Sequence, residues 1–322
     1  MSDPLRVLIH NDHTSGFEAS LRDAWPAAAI ETCTTYDGLG AQIEEFRPNV
    51  VYTVRFAGTP GFPRDALFGV NGPQWVANGG AGTDHFGQWD TARTTVTNAA
   101  GVAADVMAEY VMGAFLHFTL DVPGLQADKS LRRWQPRKMQ QLQGQTLLIV
   151  GLGHTGRAIA LRAKAFGMRV IGTRATPRPM AHVDEVHSAA DLAELLPHAD
   201  FIAVSTPLTA GTRNILGHDA FAVMKPGVIL ADVSRGGVMD QQALFHAMTS
   251  NRVAGAALDV FETEPLSVES PLWGLDNAII SPHCSSVFEG WEGASFDLFL
   301  ANLARWVAGD ALVNVVNPAR GY

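Results

Sequence analysis

The stretch Thr146-Leu147-Leu148-Ile149-Val150-Gly151-Leu152-Gly153-His154-Thr155-Gly156 decides the reading of the fold. Its first five residues form a short apolar, β-branched run of strand type, and the glycines follow at once. Beyond them Ile159, Ala163 and Phe166 recur at i, i+4 and i+7, the spacing of one helix face. A strand, a glycine-rich turn and a helix in this order make the fingerprint of a dinucleotide-binding unit. Gly151 suits the tight turn, Gly153 the backbone's approach to a pyrophosphate, and Gly156 close packing of helix on strand. His154 and Thr155 belong to the same loop, with a solvent-facing histidine as the plain alternative for His154. A glycine-rich turn without a ligand is the competing reading, and the strand-before, helix-after context argues against it.

Working outward, further strand candidates are Met168–Gly172, Phe201–Ser205, Val228–Val233, Val253–Leu258 and Ala278–Ile280. Six strands with helical crossovers predict a Rossmann domain. Toward the N-terminus, the runs Arg6–Ile9, Val50–Val54 and Trp75–Ala77 alternate with helical periods, as in a flavodoxin-like parallel sheet. Gly101–Phe118 is a long helical pattern whose only acids are Asp105 and Glu109, which predicts burial. The helical spacing of Phe296–Val307 follows the last strand and predicts a return to the first domain. The expectation is an α/β chain with two Rossmann-like doubly wound domains: 1–98 with 287–322, and 99–286 for the dinucleotide.

The strand that follows the glycine loop ends in Gly172-Thr173-Arg174-Ala175-Thr176-Pro177-Arg178. A carboxylate here would accept the ribose hydroxyls of NAD, and there is none. Arg174, with Thr173, Thr176 and Arg178, suits a 2′-phosphate through charge-assisted bonds, so NADP is the expected cofactor and NAD the alternative. Thr206 and Val233, at the ends of two further strands, are assigned to the same cofactor.

Ligands of open α/β sheets sit beyond the carboxyl ends of the strands. There the chain carries Ser234-Arg235-Gly236-Gly237, Asp259 to Pro265, and Ser281-Pro282-His283. Reduction of a 2-oxo acid needs a proton donor for the carbonyl oxygen and a cation for the carboxylate. His283 suits the first task and Arg235 the second, while Glu264 would orient the imidazole and stabilise its protonated form. Asp259 is either an acceptor for the nicotinamide carboxamide or a turn-capping acid. In the first domain Gly80-Ala81-Gly82 is either an anion-binding nest for a substrate carboxylate or a strand-to-helix turn capped by Asp84. Arg55, just past a strand, is a candidate for a second anionic group, against a plain surface arginine.

Composition narrows the function classes. The 322 residues carry Lys+Arg 23 against Asp+Glu 32, a net charge of −9, which does not suit phosphate-backbone binding of nucleic acid. No apolar run is long enough for a membrane span or the core of a signal peptide, and the cytoplasm is the expected compartment. Cys33 and Cys284 make neither a disulfide framework nor a metal spacing.

Taken together, the Gly151–Gly156 loop, Asp232–Gly237, Ala257–Pro265 and Ser281–His283 resemble, in order, the motifs of the D-isomer-specific 2-hydroxyacid dehydrogenases. The resemblance implies hydride transfer between NAD(P)H and a small 2-oxo or 2-hydroxy acid, glyoxylate and hydroxypyruvate foremost. It implies two domains with the active site in the cleft between them, and a homodimer. It also offers Trp134 as a residue reaching a neighbouring subunit, with a packed interface tryptophan as the alternative. Related scaffolds serve nucleotide-sensing corepressors and formate- or phosphite-type dehydrogenases, and those remain the alternatives.

Overall fold

The computed structural model describes residues 4–56 and 59–318, and the chain divides into two compact units, Met1–Val102 with Glu289–Tyr322, and Ala103–Phe288. In the first unit the strands are β1 (Arg6–His10), β2 (Ala29–Cys33), β3 (Val50–Thr53), β4 (Trp75–Asn78) and β5 (Thr95–Asn98), crossed over by α1 (Ser15–Ala24), α2 (Tyr36–Phe46) and α3 (Arg64–Phe68). They pair in parallel in the order β2-β1-β3-β4-β5, the flavodoxin order. Side chains alternate across a strand, so a sheet covered on both faces must be apolar at successive positions. Val7 and Ile9 enter one core with Tyr52 and Trp75, while Leu8 enters the other with Val51, Val76 and Leu39.

In the second unit α4 (Ala104–Thr119) and α5 (Val122–Ser130) precede β6 (Thr146–Val150), α6 (His154–Ala165), β7 (Arg169–Arg174), β8 (Glu185–Ser188), α7 (Leu192–Leu195), β9 (Phe201–Val204), α8 (His218–Val223), β10 (Val228–Asp232), α9 (Gln241–Thr249), β11 (Val253–Leu258) and β12 (Ala278–Ile280). The seven parallel strands run in the order β12-β11-β10-β9-β6-β7-β8, a Rossmann sheet with one strand added beyond its sixth. That is one strand more than the apolar runs predict, because β8 reads Glu-Val-His-Ser and carries no such run. α4 buries Val111 and Phe115 against Ile159 and Ala163 of α6. Its two acids both meet Arg162 of α6, Asp105 at 2.8 Å and Glu109 at 2.9 Å. Ile159 and Ala163 are buried as their spacing predicts, but Phe166 caps α6 and is 41% exposed, since the helix ends before its position can face the sheet.

α10 (Trp291–Ala308) belongs to the first unit, where Phe296, Phe299 and Leu303 fill the core beside Tyr52. Ser295 on this helix donates to the Gly79 carbonyl at 2.7 Å and ties the helix to the end of β4. Among the described residues no helix is long and apolar enough to cross a membrane.

Candidate active site

The glycine loop shows why Gly151 and Gly156 must be glycines. Gly151 has φ +105°, and a Cβ there would run into the backbone of Thr206. A Cβ on Gly156 would strike the Gly151 carbonyl, whereas beside Gly153 there is open space. α6 starts at His154 with Gly153 as its cap, and among the described residues no side chain caps its first turn. Free N–H groups at a helix N-terminus, beside a glycine with nothing above it, fit the pyrophosphate of a dinucleotide. Burial, and then the neighbouring Arg157, lowers the pKa of His154, so its neutral form is favoured next to that loop.

At the end of β7, Thr173 is buried in the sheet, and its carbonyl accepts from the Leu152 N–H at 2.8 Å. Arg174 is the first residue to emerge. Its guanidinium rests on Met180 Sδ at 3.4 Å, and among the described residues it pairs with no carboxylate. Thr176 and Arg178 beside it are exposed. A thioether is a weak acceptor, so this cation keeps its hydrogen-bonding capacity for an anionic ligand. Val233 is buried, its N–H bonded to Val204 O across the strand ends.

His283 Nδ1 lies 2.8 Å from Glu264 Oε2, and Glu264 Oε1 accepts from the Phe261 N–H at 3.0 Å. An ionised carboxylate only accepts, which assigns the hydrogen to Nδ1 and leaves Nε2 for a ligand. Both side chains are about one-third exposed, within reach of a substrate. Arg235 follows the turn after β10, half-buried, with one guanidinium nitrogen donating to the Ser234 carbonyl at 2.7 Å. That turn is pinned by Asp232, which accepts from the Ser234 N–H at 2.9 Å and its hydroxyl at 2.5 Å. Burial raises the Asp232 pKa to about 7 despite those two bonds. Gly236 is seated so tightly on the Phe261 carbonyl that no side chain would fit, which fixes the Arg235 turn against the segment leading to Glu264.

Asp259 faces inward. It is 1% exposed, and its oxygens accept from Ser281, Cys284 and Ser285. The carboxylate is therefore occupied by the turn that carries His283, in line with the turn-capping alternative for this residue.

In the first unit the carbonyls of Gly80, Ala81 and Gly82 are held by the side-chain amides of Asn78 and Asn98 at 2.7–2.9 Å. The short 3₁₀ turn Asp84–Phe86 follows, with Thr83 rather than Asp84 at its cap position. Arg55 is exposed, next to buried Phe56.

Comparisons with known proteins agree with this architecture. The family model for the NAD binding domain of D-isomer specific 2-hydroxyacid dehydrogenase matches residues 112–285. D-3-phosphoglycerate dehydrogenase of Methanocaldococcus jannaschii is 34% identical over 79% of this chain, and the match spans 49% of that longer enzyme. Glyoxylate reductase of Thermococcus litoralis is 36% identical over 69% of this chain and 70% of its own. The D-isomer specific 2-hydroxyacid dehydrogenase of Xanthobacter autotrophicus Py2, solved with NADPH and MES, superposes with TM-score 0.84 at 28% identity, covering 98% of this chain and 99% of that one. A family match across more than half of the chain, together with a two-unit fold shared over nearly its whole length, leads to one conclusion: the chain belongs to the D-isomer specific 2-hydroxyacid dehydrogenase family.

Proposed function

We propose that this protein reduces small 2-oxo acids, glyoxylate and hydroxypyruvate foremost, to D-2-hydroxy acids with NADPH preferred over NADH. The observation that carries the reading is the His283–Glu264 pair at 2.8 Å, a proton donor with its orienting carboxylate in the same unit as the pyrophosphate loop. The substrate class follows relatives named glyoxylate reductase and hydroxypyruvate reductase.

The dinucleotide, when bound, supplies the hydride to the carbonyl carbon. The protein's part is positional and electrostatic. In its imidazolium form, with a hydrogen on each ring nitrogen, His283 hands its Nε2 proton to the carbonyl oxygen as charge develops there and is left neutral, while Glu264 steadies the ring through Nδ1–H. Arg235 holds the substrate carboxylate and fixes the plane of the acid. The Gly80–Gly82 loop is a further carboxylate contact in this proposal, because its carbonyls are already tied back by Asn78 and Asn98. Arg55 is kept as the contact for a second anionic group.

The cofactor preference rests on Arg174, the cation at the end of β7 that pairs with no carboxylate among the described residues. The test is steady-state glyoxylate reduction with each cofactor, for wild type and Arg174→Ala. Loss of a charge-assisted contact to the 2′-phosphate should raise KM for NADPH about 10-fold or more, and leave KM for NADH within about 2-fold. A wild-type preference for NADH, or an equal rise for both cofactors, contradicts the assignment.

A further inference from the structure

Behind His283 runs a chain of polar groups, buried at Asp259 and Ser285 and half-buried at Ser281, that the proposed reaction does not touch. Asp259 Oδ1 accepts from Ser281 Oγ at 2.6 Å and from the N–H groups of Cys284 and Ser285 at 2.9 and 3.1 Å. Its Oδ2 accepts from the Ser285 N–H at 3.0 Å and the Ser285 hydroxyl at 2.6 Å. The Asp259 carbonyl takes the His283 N–H at 2.9 Å. Every donor belongs to the turn on which His283 sits.

That turn needs holding. His283 has φ +53°, a left-handed conformation that a residue with a side chain keeps only where its surroundings impose it. One more group reaches the network from a distant element: the hydroxyl of Tyr110, on α4, lies 2.8 Å from Ser281 Oγ. Ser281 has a single hydroxyl hydrogen and gives it to Asp259, so Tyr110 must be the donor in this contact. Burial, the largest influence, pushes the Tyr110 pKa up to about 12, so it carries its proton at any ordinary assay pH. The bonds thus run in one direction, from Tyr110 to Ser281 to Asp259, and the last of these clasps the His283 backbone.

We propose that Tyr110 is a positioning residue which, through Ser281 and Asp259, holds the His283 turn in the conformation that proton transfer requires. Glu264 fixes the imidazole from its Nδ1 side, and the Tyr110 chain fixes the backbone beneath it. The inference rests on the proposed role of His283.

The test is a double-mutant cycle. Tyr110→Phe keeps the ring and removes only the donor. In the wild-type background it should lower kcat for hydroxypyruvate reduction about 10-fold, with KM for the acid and Kd for NADPH within about 2-fold. In the His283→Ala background, assayed at high enzyme concentration, the same change should alter the residual rate by less than about 2-fold, since the group being positioned is gone. Ser281→Ala should repeat this pattern, and Ser281→Thr, which keeps a hydroxyl, should restore most of the rate. An unchanged kcat in the wild-type background, or an equal drop in both backgrounds, overturns the proposal. Failure of the functional reading looks different: wild type itself then reduces no 2-oxo acid. The positioning claim is in that case read without substrate, from the imidazole NMR signals of His283, broadened by exchange in Tyr110→Phe if it holds and unchanged if it does not.

Discussion

Replacing His283 by alanine is expected to lower kcat for 2-oxo acid reduction by about 10³-fold, the middle of the range for removal of a positioned general acid. The imidazole is the group whose Nε2 is left over after Glu264 takes Nδ1, so its loss leaves the carbonyl oxygen to collect a proton from water. Binding should hardly change. In the proposed complex the first turn of α6 holds the pyrophosphate and the tip of β7 the adenosine end, elements other than the turn that carries His283. Kd for NADPH, measured by fluorescence titration, should therefore stay within about 3-fold of wild type while kcat collapses. A loss below about 10-fold would mean that another group delivers the proton.

The second large effect belongs to Arg235. Its alanine variant should lose about 10³-fold in kcat/KM, because a desolvated carboxylate left without its cation costs about 3–5 kcal/mol. Arg235→Lys separates charge from geometry. Lysine retains the positive charge but offers a point rather than a planar fork, so the acid loses its fixed plane relative to the hydride donor. About 10² of the loss should remain in the lysine variant, divided between KM and kcat. The fold should survive both changes, since Asp232, Ser234 and Gly236 still hold the turn when the guanidinium's bond to the Ser234 carbonyl is lost. Stopped-flow rates at saturating NADPH measure these values, and a lysine variant with wild-type kcat/KM would remove the fork from the account.

The strands most legible in the sequence were those written as unbroken apolar runs. β6, β11 and β12 begin and end where their apolar runs do. β8 was missed because Glu185-Val186-His187-Ser188 holds a single apolar residue, so no hydrophobic run marks it. β5, Thr-Val-Thr-Asn, holds a single apolar residue, and β2 alternates too weakly to stand out. Phe166 followed helical spacing but lies at the cap, where periodicity no longer says which way a side chain turns.

The same divide runs through the site. Arg235, Glu264 and His283 could be named because strand ends in a parallel sheet share one rim, a rule that works on sequence order alone. Asp259 stands on that rim too, yet its burial depends on how the His283 turn folds back over it. Tyr110 gave no signal at all. It is separated from Ser281 by 171 positions, and a tyrosine in an apolar helix reads as core until the helix is packed.

The most direct test of the central claim is chiral analysis of the glycerate formed from hydroxypyruvate and NADPH by the wild-type protein. The account predicts one equivalent of NADPH oxidised per glycerate, and the D-isomer as product. L-glycerate, a racemic mixture, or no oxidation of NADPH or NADH by any small 2-oxo acid despite measurable nucleotide binding, contradicts it.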